Sequence, residues 1–187
     1  MKPRRFFRGT GTALVTPFKK DEKLDEQTLR RLVRFQIKGG VEALVPCGTT
    51  GESPTLSQEE EERVISLVIE ENNGKVKVFA GAGGNNTNEV VEKAKAARQL
   101  GVDAILSVGP YYNKPTQEGF FRHFYAIAEE ADIDTIVYNI PGRTGSNIEA
   151  GTMLRMAEEI PHIVGVKEAS GNLGQMMEIA HHRPPRF

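Results

Sequence analysis

The chain has 187 residues, of which 39% are apolar and 26% charged, with a formal net charge of −1. That length suits one well-cored domain or two small ones, and the near-neutral balance gives no global field to recruit nucleic acid or an anionic membrane. No apolar run approaches the ~20 residues of a membrane span, and one cysteine, Cys47, cannot form an internal disulfide, which fits a reducing cytoplasm.

Residues 1–8, Met-Lys-Pro-Arg-Arg-Phe-Phe-Arg, are basic without an apolar core or small-residue cleavage site behind them. They read as a flexible arm rather than a signal peptide. Gly11 to Phe18 predicts a short strand stopped by Pro17. Asp25 can cap a helix whose apolar positions Leu29, Leu32, Val33 and Ile37 keep the helical period, closed by Gly39-Gly40. Val41 to Pro46 is the next strand, leading into Cys47-Gly48-Thr49-Thr50-Gly51-Glu52, a turn too rich in glycine and threonine for either element. Ser57 and Glu60 make a capping-box pattern before a helix through Val64, Ile65, Val68 and Ile69.

Lys75 to Ala80 predicts a third strand, and Thr87 reads as the cap of a helix with Val90, Val91, Ala94 and Ala97 on one face. Val102 to Val108 is a fourth strand, followed by the loop Gly109 to Pro115. Thr116 opens a helix with the stripe Phe120, Phe121, Phe124, Ile127 and Ala128. A fifth strand, Thr135 to Tyr138, runs into a loop from Asn139 to Gly145. A helix carrying Met153, Leu154 and Ala157 precedes Pro161. A sixth strand ends at Lys167, and a last helix begins near Asn172.

Six alternations of apolar strand and amphipathic helix predict an α/β fold with a parallel sheet and right-handed crossovers. The strand-to-helix links carry Thr49, Thr50, Tyr111, Tyr112, Tyr138, Arg143 and Lys167, whereas the helix-to-strand links carry only punctuation. That asymmetry marks a (β/α)8 TIM barrel with its site on the C-terminal rim, here truncated to about six β/α units. Gly81-Ala82-Gly83-Gly84 is a tight turn rather than a nucleotide fingerprint. Cys47 reads as a small buried filler, and His123, His162, His181 and His182 lack ligand-like spacing, so no metal is expected.

Ile163-Val164-Gly165-Val166 ends abruptly at Lys167 and then breaks into Glu168-Ala169-Ser170-Gly171-Asn172. A buried strand that delivers one side chain to a cavity looks like this. Desolvation favours the neutral amine, a nucleophile toward carbonyls. The same segment also reads as a strand-end lysine reaching solvent, and by itself leaves both open.

Four motifs occur in order: Gly48-Thr49-Thr50-Gly51-Glu52, Tyr111-Tyr112-Asn113-Lys114-Pro115, Tyr138-Asn139-Ile140-Pro141-Gly142-Arg143-Thr144-Gly145 and Gly165-Val166-Lys167-Glu168. From Gly11 to Ala180 the chain resembles the class I pyruvate aldolase / N-acetylneuraminate lyase superfamily, and within it the dihydrodipicolinate (4-hydroxy-tetrahydrodipicolinate) synthase family. The resemblance implies a lyase of lysine (diaminopimelate) biosynthesis without a cofactor, in which Lys167 forms a covalent Schiff base with pyruvate. The enamine then attacks L-aspartate 4-semialdehyde, and ring closure gives 4-hydroxy-tetrahydrodipicolinate. It further implies Tyr138 as proton shuttle, Thr49 or Thr50 as relay with Thr49 favoured, and Tyr112 as the second tyrosine, which crosses into a neighbouring subunit. Hydroxyls and phenols suit that relay because they pass protons both ways without full charge. Arg143 matches the arginine that holds the aldehyde's carboxylate, and the backbone at Gly48, Thr49 and Thr50 the receiver of pyruvate's carboxylate.

The implied assembly is a cytoplasmic homo-oligomer, a dimer of dimers, with no nucleic-acid or membrane partner. Ser53, Asn85, Glu89 and Tyr111 resemble part of a lysine feedback site. Gln58 and Glu61 stand where sensitive members carry histidines, so lysine inhibition is not expected. A barrel of this kind needs ~250 residues, so the chain reads as one partial domain, 1–187, lacking two C-terminal β/α units and the helical region. Residues 181–187 form an atypical tail that reads as a truncation or an out-of-frame end. Open sheet edges predict poor stability and aggregation. The alternatives are a related pyruvate aldolase acting on sugar aldehydes, as N-acetylneuraminate lyase or keto-deoxy sugar acid aldolases do, and a non-catalytic remnant.

Overall fold

The computed structural model describes residues 6–187. The expected arm therefore lies mostly outside the described residues, which take up its last three, Phe6, Phe7 and Arg8. By its contacts the chain groups into two compact units. One contains Arg8–Ala82 and Ala96–Ile105; the other contains Gly83–Lys95 and Leu106–Phe187 together with Phe6 and Phe7.

The first unit runs β1 (Gly11–Ala13), α1 (Glu26–Lys38), β2 (Ala43–Val45), α2 (Gln58–Asn72) and β3 (Lys77–Gly81). It also takes the end of α3 (Thr87–Gln99) and the start of β4 (Ala104–Val108). The strands are parallel, with Gly11 opposite Ala43 and Ala43 opposite Lys77. The caps form as their residue types dictate. Asp25 Oδ1 accepts from the Thr28 amide at 3.0 Å, and Ser57 and Glu60 cap each other's amides at 3.2 and 2.9 Å. Leu29, Val33, Val64, Leu67 and Val68 turn one face of each helix into the core. The turn expected over 47–52 holds one 3-10 turn, Thr49–Gly51, and a second, Ser53–Thr55, follows it.

The second unit takes the start of α3 and the end of β4, then α4 (Gln117–Ala131), β5 (Thr135–Asn139), α5 (Pro141–Thr144), α6 (Ala150–Glu159), β6 (Ile163–Glu168) and α7 (Leu173–His182). Its strand order is β4-β5-β6. Thr116 Oγ1 accepts from the Gly119 amide at 3.1 Å, and Phe120, Phe124 and Ile127 are buried below it. Two local expectations are corrected. Thr87 is the first helical residue of α3 rather than its cap. Asn86 does that work, its Oδ1 accepting from the Asn88 amide at 3.2 Å. The loop expected over 139–145 holds one helical turn, α5, started by Pro141 at its first position. α7 stops at Arg183, ahead of Pro184-Pro185. The tail is tied back: Arg183 Nη1 donates to the Phe187 carbonyl at 2.6 Å, and Arg186 donates to the carbonyls of Ala157 and Pro161 at 2.5 and 3.2 Å.

β5 and β6 are not paired evenly. Thr135 faces Ile163 but Ile136 faces Gly165, so Val164 is an extra residue in a β-bulge. From there the register is regular, with Tyr138 opposite Lys167 and Asn139 opposite Glu168. Without the bulge, Lys167 would stand opposite Asn139, and its side chain would leave the face that Tyr138 occupies.

Candidate active site

Lys167 and Tyr138 meet at the C-terminal ends of β6 and β5. The Lys167 Nζ lies 4.1 Å from the centroid of the Tyr138 ring. Tyr138 is buried, at 7% exposure, while Lys167 stays open to solvent on one side. Partial desolvation pulls the Lys167 ammonium below the usual lysine value. The protein thus enlarges the fraction of neutral, nucleophilic amine while leaving it reachable by a small carbonyl compound.

On the opposite face of the same two strand ends sits a network that sequence reasoning missed. Asn139 Nδ2 donates to both carboxylate oxygens of Glu168, at 3.2 and 2.9 Å. Gln175 Nε2, from α7, donates to Glu168 at 2.9 Å, and the Ser170 amide at 2.8 Å. Burial works to raise the Glu168 pKa, but the donors from Asn139, Ser170 and Gln175 outweigh it and hold the carboxyl below its ordinary value. The only signal in the sequence was that Asn139 and Glu168 each follow a site residue by one position.

Arg143 lies in α5, exposed, three residues beyond the Ile140 that precedes the turn. Thr144 Oγ1 donates to the Ser146 carbonyl at 2.8 Å and stiffens the exit from it. Tyr111 and Tyr112 sit in the loop after β4. Tyr112 is 88% exposed with φ of 70°, a left-handed conformation uncommon for a bulky residue. The loop is bound to the turn before α3, since Asn85 Nδ2 donates to the Tyr111 carbonyl at 3.3 Å and Asn113 Nδ2 to the Asn85 carbonyl at 3.0 Å. Glu89 is exposed and accepts from Asn86 Nδ2 at 2.8 Å.

Gly48, Thr49, Thr50 and Ser53 belong to the first unit. Thr49 and Thr50 are exposed in the first 3-10 turn, which Thr16 anchors by donating from Oγ1 to the Gly51 carbonyl at 2.6 Å. Cys47 turns the chain into this loop with φ of 53°, its side chain buried. A side chain on Gly81 would fall on the Cys47 carbonyl, so only glycine fits there. Gln58 donates to Glu62 at 2.9 Å, and Glu61 is buried. Among the described residues, no group of three or more His, Cys, Asp or Glu is placed to hold a metal ion, and no helix is long and apolar enough to cross a membrane.

Comparison with known proteins gives consistent matches. Residues 6–187 match the model of the dihydrodipicolinate synthetase family. A 4-hydroxy-tetrahydrodipicolinate synthase of Chloroherpeton thalassium is 54% identical over 98% of this chain and 61% of its own length. Among solved structures, dihydrodipicolinate synthase from Cyanidioschyzon merolae, with lysine bound, superposes with a TM-score of 0.94. It is 45% identical over 97% of this chain and 62% of its own. The chloride-inhibited enzyme from Acinetobacter baumannii, complexed with pyruvate, gives 0.91 at 45% identity, over 95% of this chain and 61% of its own. The chain thus spans about three fifths of the length of the relatives it matches, and its β/α units have the fold class of these TIM-barrel proteins.

Proposed function

The chain belongs to the dihydrodipicolinate synthetase family, and from that premise we propose that it condenses pyruvate with L-aspartate 4-semialdehyde to 4-hydroxy-tetrahydrodipicolinate, a step of lysine biosynthesis. The observation that carries this reading is the exposed Lys167 amine, its pKa lowered by partial desolvation, lying 4.1 Å from the buried Tyr138 ring. The neutral amine adds to the ketone of pyruvate, and loss of water leaves a protonated imine, with no separate cofactor. That imine withdraws electrons from the adjacent methyl group, which loses a proton to become an enamine. The enamine carbon attacks the aldehyde, and the substrate's own amine then closes the ring and displaces Lys167. Tyr138 shuttles protons at the imine, with Thr49 and Tyr112 completing the relay and Thr50 as the alternative threonine. The amides at Gly48, Thr49 and Thr50 receive the pyruvate carboxylate, and Arg143 the aldehyde's carboxylate.

The exposure of Tyr112 supports its reaching into a neighbouring subunit of a cytoplasmic homo-oligomer. Lysine does not regulate this chain in our reading: Gln58 is engaged by Glu62 and Glu61 is buried, although Ser53, Asn85, Glu89 and Tyr111 are all present.

Borohydride reduction in the presence of pyruvate tests the proposal. Mass analysis should find one reduced pyruvate adduct on the peptide bearing Lys167, and none in Lys167→Ala. An adduct on a different lysine, or none at all, overturns the reading. Turnover with sugar aldehydes but not with aspartate semialdehyde would transfer the chain to a related aldolase activity.

A further inference from the structure

The two residues that meet at the candidate site, Tyr138 and Lys167, are each followed by a residue of the clamp on the other face, Asn139 and Glu168. Side chains alternate along a strand, so Tyr138 and Lys167 share one face and Asn139 and Glu168 the other. The paired register puts Asn139 directly opposite Glu168. We propose that the Glu168 carboxylate, clamped by Asn139 and Gln175, is a positioning group that fixes the ends of β5 and β6 so that the Lys167 amine meets Tyr138. This inference rests on the function proposed above.

The chemistry of the clamp is one-sided. Ionised Glu168 only accepts, and each of its partners only donates: Asn139 Nδ2, Gln175 Nε2 and the Ser170 amide. Asn139 is locked in turn. Its Oδ1 accepts from the Ile148 amide at 3.0 Å, and its Nδ2 also reaches Asn147 Oδ1 at 2.9 Å. Asn147 Nδ2 donates to Gln175 Oε1 at 2.8 Å, closing the ring of amides. Asn139 is 1% exposed and Gln175 8% exposed, so water is poorly placed to replace a lost partner. The clamp therefore ties four segments, β5, β6, α7 and the turn at Asn147, at the level of the reactive amine. The bulge at Val164 aims Lys167 toward Tyr138, and four residues beyond it the clamp at Glu168 stops that strand end from relaxing.

The test uses the full chain and the initial rate of borohydride-trapped pyruvate adduct at Lys167, with circular dichroism confirming the fold at the assay temperature. Glu168→Gln sets an N–H against N–H donors, and should slow trapping about tenfold or more in folded protein, because small misplacements of reacting groups are costly. The reciprocal pair Asn139→Asp with Glu168→Gln restores a donor opposite an acceptor and should recover part of the rate. Thr135→Val removes the buried hydroxyl that donates to the Ile133 carbonyl at 3.1 Å, at the far end of β5. It should lower the melting temperature and leave the trapping rate unchanged, as a purely structural loss does. If Glu168→Gln does not fold, Gln175→Met removes a single arm of the clamp and should slow trapping by about threefold, a smaller misplacement on the same scale. Wild-type rates in every folded clamp variant overturn the inference alone. No adduct in the unsubstituted chain overturns the proposed function, and the inference with it.

Discussion

His123 shows at the residue scale how burial sets chemistry. It is 4% exposed, its Nδ1 lies 2.8 Å from Thr87 Oγ1, and its Nε2 has no hydrogen-bond partner among the described residues. Desolvation pushes its pKa from 6.5 down to about 4. The unfolded chain therefore takes up a proton near pH 6.5 that the folded chain refuses until about pH 4. Stability must fall as pH drops across that window, by roughly 3 kcal/mol for a shift of this size. Glu168 acts lower: its folded pKa lies below 4.5, so the stability it adds is present above that value and is lost in stronger acid. Urea titrations between pH 7 and 4.5 should show a slope that His123→Leu flattens; an unchanged slope would assign it to other groups. Lys167 and Tyr138 were legible in the sequence because each ends an apolar strand where a polar side chain is out of place. Asn139 and Glu168 were not, because a polar residue beginning a loop looks ordinary until the register shows what it faces.

Helix boundaries were the most legible elements, because a cap is local chemistry: Asp25, Ser57 and Thr116 each accept from an amide three residues on. Thr87 misled because Asn86, just before it, caps equally well. α5 was hidden because Pro-Gly-Arg-Thr reads as loop when a single turn is too short for periodicity. The loop bearing Thr49 and Thr50 depends on a neighbour that sequence could not identify. Gly81, ending β3, lies against the Cys47 carbonyl where that residue's positive φ turns the chain. Gly81→Ala should push the two strands apart, costing about 1–3 kcal/mol as overpacking does. A denaturation midpoint equal to that of the parent chain would show that β3 can yield.

At the scale of the whole molecule, the fold class was legible from six alternations of strand and helix; the grouping into two compact units is set by contacts distant in sequence. In the second unit, β6 ends the strand order β4-β5-β6, leaving one backbone edge without a paired strand among the described residues. Phe6, Phe7, Val164, Val166, Ile179 and Phe187 line a groove beside it, and Leu173 and Met177 on α7 are each 71% exposed. An unpaired edge next to apolar surface favours association between chains. Size exclusion at increasing concentration should show growing mass, reduced by Leu173→Lys with Met177→Lys; a constant monomer peak would refute it. The bulge at Val164 carries a further consequence for the molecule, one of parity. Had β6 five residues there instead of six, composition, hydrophobicity and strand length would be nearly the same. Yet the amine would stand on the face that carries Asn139 and Glu168, so a single aliphatic residue decides on which side of the sheet the lysine lies.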